Sequence, residues 1–201
     1  MQHVAPFVPT TTRRQALRLA GAWALAPAAA ALAGADSDVW RLLRAGGLAV
    51  LLRHAQTDPG LGDPPGFRPH QCATQRNLSA AGRAQARRIG EAFREQRIAV
   101  AAVRSSAWCR CIDTARLAFG RVEPWPALDS FFAGQGDAAA QSRAVRRGLA
   151  GLRPPDNWVL VTHQVNITAL TGETPAMGEL LLVRPAAAQH AHWPVLARWA
   201  A

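Results

Sequence analysis

Lysine and tyrosine are missing altogether from this 201-residue chain: all 23 basic side chains are arginine. The arginines are dispersed, and no basic run is interleaved with the aromatic residues, which make up only 6% of the chain. That pattern lacks the footprint of a nucleic-acid-binding surface. A formal net charge of +10 still favours small anionic partners such as phosphorylated metabolites. Cysteine is scarce, with only Cys72, Cys109 and Cys111. No His or carboxylate completes a set with them at zinc-site spacing, so no metal is expected; no cofactor is expected either. Three thiols fit an oxidising compartment with one disulfide and one spare thiol. Neighbours at i and i+2 are awkward to bridge, so Cys72 is expected to pair with Cys109 or Cys111. At 49% hydrophobic and 18% charged, the composition excludes a disordered chain.

Long apolar runs are absent too. The uncharged stretch Leu19–Ala33, about 15 residues and rich in alanine, is short and weakly apolar for a membrane-spanning helix. Thr12-Arg13-Arg14-Gln15-Ala16-Leu17-Arg18 precedes it, and the pair resembles a twin-arginine export signal, with Ala16 where that signal usually carries Phe. Ala31-Leu32-Ala33 and Ala33-Gly34-Ala35 both fit the small-x-small pattern of a cleavage site. No Cys follows, which argues against a lipid anchor. Residues 1–35 are therefore expected to be a signal peptide and residues 36–201 one domain. That domain would be periplasmic or secreted, without stable membrane insertion after cleavage. It is large enough to bury a core of its own.

Within it, Leu48–Leu52 is a continuously apolar run suited to a central strand buried on both faces. Pro59–Pro69 reads as a surface loop. Ser79 caps a helix to about Arg97 with Ala86, Ile89 and Phe93 on one face. Ile98–Val103 reads as a second strand. A helix from about Trp108 to Phe119 follows, with Ile112, Ala115 and Phe119 sharing a face. Pro124–Gly136 is irregular, Gln141–Leu152 helical, Trp158–Thr162 a buried strand, and Asn166–Leu170 a short helix. Gly178–Arg184 and Val195–Trp199 could close the sheet. Strands alternating with helices predict an α/β fold: a three-layer sandwich with a mostly parallel central sheet flanked by helices.

In open α/β sheets, ligands bind at the carboxyl ends of the strands. Three predicted strands end in residues suited to phosphate: Arg53-His54, Ser105-Ser106 leading to Arg110, and His163. With Leu51-Leu52-Arg53-His54-Ala55-Gln56-Thr57, Ser105-Ser106-Ala107-Trp108-Cys109-Arg110 and Val159-Leu160-Val161-Thr162-His163-Gln164 in this order, the chain resembles the histidine phosphatase superfamily (branch 1), the phosphoglycerate-mutase-like fold. Asn77-Leu78-Ser79-Ala80-Ala81-Gly82-Arg83 matches a further element of that family. The resemblance spans Leu48 to about Pro185.

The resemblance implies a metal-independent phosphomonoester hydrolase. His54 is the nucleophile and becomes a transient phosphohistidine. Arg53 and Arg110 present forked donors to the phosphoryl oxygens, and His163, protonated against bound phosphate, adds a further cation. Asp129 is the expected general acid. Thr57, Arg76 and Gln164 are expected substrate contacts. Ala55 stands where the family usually carries Gly, and Gln56-Thr57-Asp58 departs from the corresponding run of the mutases. The chain is also short for the cap a mutase uses. Hydrolysis is accordingly favoured over mutase-type phosphotransfer, and over a pseudoenzyme or sensor that merely holds an anion in the same cleft. Partners are expected to be a phosphorylated small molecule or a phosphorylated envelope component, not nucleic acid. If residues 1–35 direct export, N-terminal sequencing of the protein from its host should read a start just after Ala33 or Ala35; a cytoplasmic protein retaining Met1 would refute it.

Overall fold

The computed structural model describes residues 2–3, 38–185 and 191–201. The expected signal stretch and its cleavage site lie outside these residues. Among the described residues, no helix is long and apolar enough to cross a membrane.

The described domain opens with helix α1 (38–45) and strand β1 (Leu48–Arg53). Helix α2 (Ala80–Glu95), strand β2 (Ala102–Ser105), helix α3 (Cys109–Phe119) and the two-residue strand β3 (Glu123–Pro124) follow. Helix α4 (Ala138–Leu149), strand β4 (Asn157–Thr162), helix α5 (Gln164–Thr171) and strands β5 (Glu179–Val183) and β6 (Val195–Ala200) complete it.

The six strands form one sheet in the order β3-β2-β4-β1-β5-β6. Leu48–Leu52 are all buried, because β1 lies inside the sheet with helices on both faces. Its alternate side chains divide between two cores. Leu48, Val50 and Leu52 join Ile89, Phe93, Cys111 and Ala115 on one face. Ala49 and Leu51 join Val145, Leu149, Ile167 and Leu170 on the other. The three-layer sandwich is thus present.

The sheet is mixed, which corrects the expectation of a mostly parallel one. β1, β4, β2 and β3 run parallel, whereas β5 and β6 are antiparallel to their neighbours. The reason lies at Gly178, whose N–H donates to the carbonyls of Arg53 (3.2 Å) and His54 (3.0 Å). The chain therefore reaches β5 at the carboxyl end of β1 and can only run back along it. A parallel strand would have needed a crossover helix to return the chain to the opposite edge.

Two local expectations also shift. The α3 stripe facing the core is Cys111, Ala115 and Ala118, and Ile112 is only partly buried. The second strand begins at Ala102 rather than Ile98, because Ile98 is used to close α2. Its N–H donates to Phe93 O (2.9 Å), and Arg97 N–H donates to Arg94 O (3.0 Å). This 6→1 and 5→2 pairing is a Schellman cap, which places Arg97 at a left-handed φ of 53°. Glycine is the usual occupant of that position, and an exposed arginine there carries strain. Arg97→Gly should therefore raise stability by roughly 0.5–1 kcal/mol, read from urea unfolding; a loss of stability would show that Arg97 makes an offsetting contact.

Candidate active site

The three neighbouring strands β2, β4 and β1 end side by side, and each delivers its next residue to the same place. His54 N–H donates to Thr162 O (3.0 Å) and Ser106 N–H to Val161 O (3.0 Å). His163 is the N-cap residue of α5. A cavity of about 230 Å³ opens there, and Arg53, His54, Arg76, Arg110 and His163 all line it together with Asp63.

The ring nitrogens can be assigned from their neighbours. His54 Nδ1 lies 2.9 Å from Ala55 O. A carbonyl only accepts, so Nδ1 carries the proton and Nε2 keeps its lone pair. Burial is the main reason that the His54 pKa falls, to about 3; the Ala55 carbonyl opposes the fall, and Arg110, Arg53 and Arg76 reinforce it. His54 is thus neutral in ordinary buffers. Arg110 Nη2 lies 3.4 Å from His163 Nδ1. A guanidinium only donates, so His163 Nδ1 accepts and Nε2–H faces Ser106 Oγ at 2.9 Å. Burial, and then Arg110, hold the His163 pKa well below its usual value. In this state His163 is neutral, so the cationic form implied by the resemblance needs a bound anion to favour it.

The loop after His54 is tightly held. Ala55 N–H donates to Thr114 Oγ1 (3.0 Å) and Gln56 N–H to Gln85 Oε1 (3.1 Å). A Cβ on Gly82 would sit 1.8 Å from Gln56 O, so this helical glycine is what lets α2 approach the loop. Ala55 is fully buried and clusters with Leu78 and Ala86, which accommodates its departure from the family's Gly.

The residue that sequence reasoning missed is Asp63. Its carboxylate accepts from Arg110 Nη1 (2.7 Å) and Nη2 (3.2 Å), from Trp108 Nε1–H (2.9 Å) and from Arg76 N–H (3.0 Å). The ion pair is almost wholly buried, at 5% exposure for the Arg110 side chain and 3% for Asp63. Burial would raise the Asp63 pKa, but hydrogen bonding and charge from Arg110, with help from the Arg76 amide and Trp108, bring it below the usual value. Gly60-Leu61-Gly62-Asp63-Pro64 reads only as turn chemistry. The one available signal was general: several buried guanidinium groups need a counter-charge.

The remaining expected residues divide. Arg76 lines the cavity, its Nε–H donating to Gly62 O (2.8 Å) and its Nη1 to Thr57 Oγ1. Gln164 lines it as well. Thr57 is buried behind Arg76 and reaches the cavity only by orienting that side chain. Asp129 is not brought to the cavity wall, because its carboxylate caps the turn after β2 by accepting Ala107 N–H (2.7 Å). Burial raises its pKa against the Ala107 and Ser106 hydrogen bonds that lower it. This geometry does not carry the proton-donor role expected of Asp129. Cys72 pairs with Cys109 across a separation of 37 residues, and Cys111 remains a buried free thiol. Closing a loop of that length stabilises by about 4 kcal/mol on chain-entropy grounds and ties the 59–76 segment to α3.

Residues 49–136 match the family model of the histidine phosphatase superfamily (branch 1). That span holds Arg53, His54, Asp63, Arg76 and Arg110, while His163 lies beyond it. Among curated proteins, no sequence matches this one. Several solved structures share the fold. A mycobacterial glucosyl-3-phosphoglycerate phosphatase is 18% identical with a TM-score of 0.56, over 77% of this chain and 98% of its own. The protein histidine phosphatase SixA complexed with tungstate is 14% identical with a TM-score of 0.52, over 76% and 96%. A SixA protein of Agrobacterium tumefaciens is 20% identical with a TM-score of 0.51, over 77% and 97%.

Asp63→Ala leaves the Arg110 fork buried and unpaired, and should lower stability by about 3–5 kcal/mol. Urea unfolding of the purified variant measures it; a change under about 1 kcal/mol would mean that Arg110 finds another partner or reaches water.

Proposed function

Because the chain belongs to the histidine phosphatase superfamily (branch 1), we propose that it is a phosphomonoester hydrolase that works through a phosphohistidine on His54. The observation that carries this reading is one cavity holding a neutral His54, with its Nε2 lone pair free to attack, among the guanidinium groups of Arg53, Arg76 and Arg110. Those three cations less the Asp63 carboxylate leave a net charge of +2, which matches a phosphomonoester dianion. A site built only to hold an anion has no use for an uncharged, correctly protonated imidazole at its centre.

In this proposal His54 Nε2 attacks phosphorus, and the bond to the ester oxygen breaks, its electron pair leaving with that oxygen. The ring gains positive charge, which the Ala55 carbonyl stabilises through Nδ1–H. Phosphoryl transfer relies mainly on positioning and charge neutralisation, and guanidinium donors supply both. Water then attacks the phosphohistidine, the P–N bond returns its pair to Nε2, and inorganic phosphate leaves. Burial is the main reason His163 is neutral, and a dianion beside Arg110 offsets the repulsion that adds to it, which favours protonation. Export belongs to the same proposal. The leader pattern and a disulfide beside the site support a periplasmic or secreted protein.

His54→Ala should abolish hydrolysis of p-nitrophenyl phosphate by more than about 10³-fold, while inorganic phosphate still binds in calorimetry. Rapid acid-free quenching of the wild-type protein should trap an acid-labile phosphoryl group on His54, in buffer without divalent metal. Near-full activity of His54→Ala, or a strict need for a divalent metal, would overturn the assignment.

A further inference from the structure

The cavity combines charged and apolar lining. Arg110 and Asp63 lie beside the buried imidazoles, and the partly exposed Arg53 and Arg76 line the same cavity. Two large apolar side chains stand at its mouth: Leu61, 87% exposed, and Phe132, 38% exposed. These belong to different loops that meet there, since a Cβ on Gly62 would lie 3.4 Å from Phe132 Cε1. Val165, Gln135 and Gln164 complete the mouth. Exposed leucine and phenylalanine side chains are unusual when they converge on a cavity, and burying them against an apolar ligand group is favourable. A second phosphate or a carboxylate placed against Leu61 and Phe132 would exchange hydration for contact with apolar side chains.

The chemistry of departure points the same way. Among the described residues the one carboxyl group on the cavity wall is Asp63, ionised and committed to four hydrogen bonds, and Asp129 is off the wall. With no carboxyl donor there, an alkoxide would depend for its proton on His163 alone, whose Nε2–H already faces Ser106 and whose Nδ1 faces Arg110. A phenolate, the conjugate base of an acid of pKa about 10, leaves without one. A volume of about 230 Å³ lies below the roughly 300–1,000 Å³ of drug-sized sites, which fits one phosphate and one compact ring.

We propose that the substrate is a free aryl phosphate carrying a single phosphate, its aromatic leaving group held between Leu61 and Phe132. This rests on the hydrolase reading for turnover, but its binding half does not. In hydrolysis, the His54–P bond forms as the P–O(aryl) bond breaks, and the phenolate leaves with that electron pair and takes its proton from water.

The test compares phenyl phosphate with 2-naphthyl phosphate, whose leaving groups are similarly acidic, so that any preference reports the mouth and not the chemistry. Wild-type kcat/KM should favour naphthyl phosphate by about tenfold, the size expected for roughly 55 Å² of extra apolar burial. In the Leu61→Ala/Phe132→Ala double variant the ratio should fall towards one. Both positions are exposed, so the fold should survive the change. Calorimetry of 2-naphthyl phosphate against inorganic phosphate on the His54→Ala protein gives the same comparison without turnover, so loss of the hydrolase reading would leave the binding result interpretable. A ratio near one in the wild type, an unchanged ratio in the double variant, or a higher kcat/KM for 3-phosphoglycerate than for naphthyl phosphate would overturn the proposal. A phosphotyrosyl peptide serves as a further arm: faster turnover of the peptide than of naphthyl phosphate would overturn the free source.

Discussion

The Asp63–Arg110 ion pair is the contact on which the rest of the site depends. Three guanidinium groups converge on a cavity whose two imidazoles are buried and uncharged. Without an anion, their mutual repulsion would oppose folding, since buried charge is tolerated only when it is paired. Asp63 satisfies both Arg110 nitrogens at once and also holds the Arg76 amide and the Trp108 indole. One carboxylate thereby sets the positions of two of the three cations and of the loop that carries it.

The same arrangement explains why the histidines are in different tautomers although they sit 5.6 Å apart, ring centre to ring centre. His54 is fixed by a backbone acceptor, Ala55 O, and His163 by a side-chain donor, Arg110. Each assignment follows from a neighbour that can play only one hydrogen-bonding role. Burial next to cations then keeps both rings neutral, which under the proposed function suits His54 as nucleophile and ties any protonation of His163 to a bound anion. In the proposed function, a substrate dianion balances the net positive charge of the site.

The loops supply what the strands cannot. The strand ends place His54, Ser106 and His163 because parallel neighbours terminate at the same level of the sheet. The 59–76 segment places Asp63 and Arg76, and it is fastened by the Cys72–Cys109 bridge, by Phe67 against Trp108, and by the Asp63 hydrogen bonds. A loop so anchored can present an exposed Leu61 at the cavity mouth in a fixed position.

Much of this was legible in the amino-acid order. The buried strand before Arg53-His54, the capped helix from Ser79, the strand before His163 and the convergence of those strand ends follow from hydrophobic periodicity and local turn chemistry, which act over a few residues. The family motifs report the same short-range facts. The direction of β5 was not legible, because it depends on where Gly178 meets the end of β1, a contact across more than a hundred residues. Nor was the Schellman cap at Arg97, where closing α2 outweighed the strand preference of Ile98. Asp63 was hidden for the same reason: in its own segment it is one more turn residue among glycines and prolines, and it acquires a role only when folding brings it 2.7 Å from Arg110, 47 positions away. Asp129 shows the converse, a residue whose place in the sequence suited a proton donor but whose carboxylate the fold turned to a backbone amide. Sequence by itself determined which residues could do phosphate chemistry, since side-chain type and strand-end position are local properties. Tertiary structure decided which of them share a cavity, in what protonation state and beside which counter-charge, because burial and long-range pairing exist only once the chain has folded.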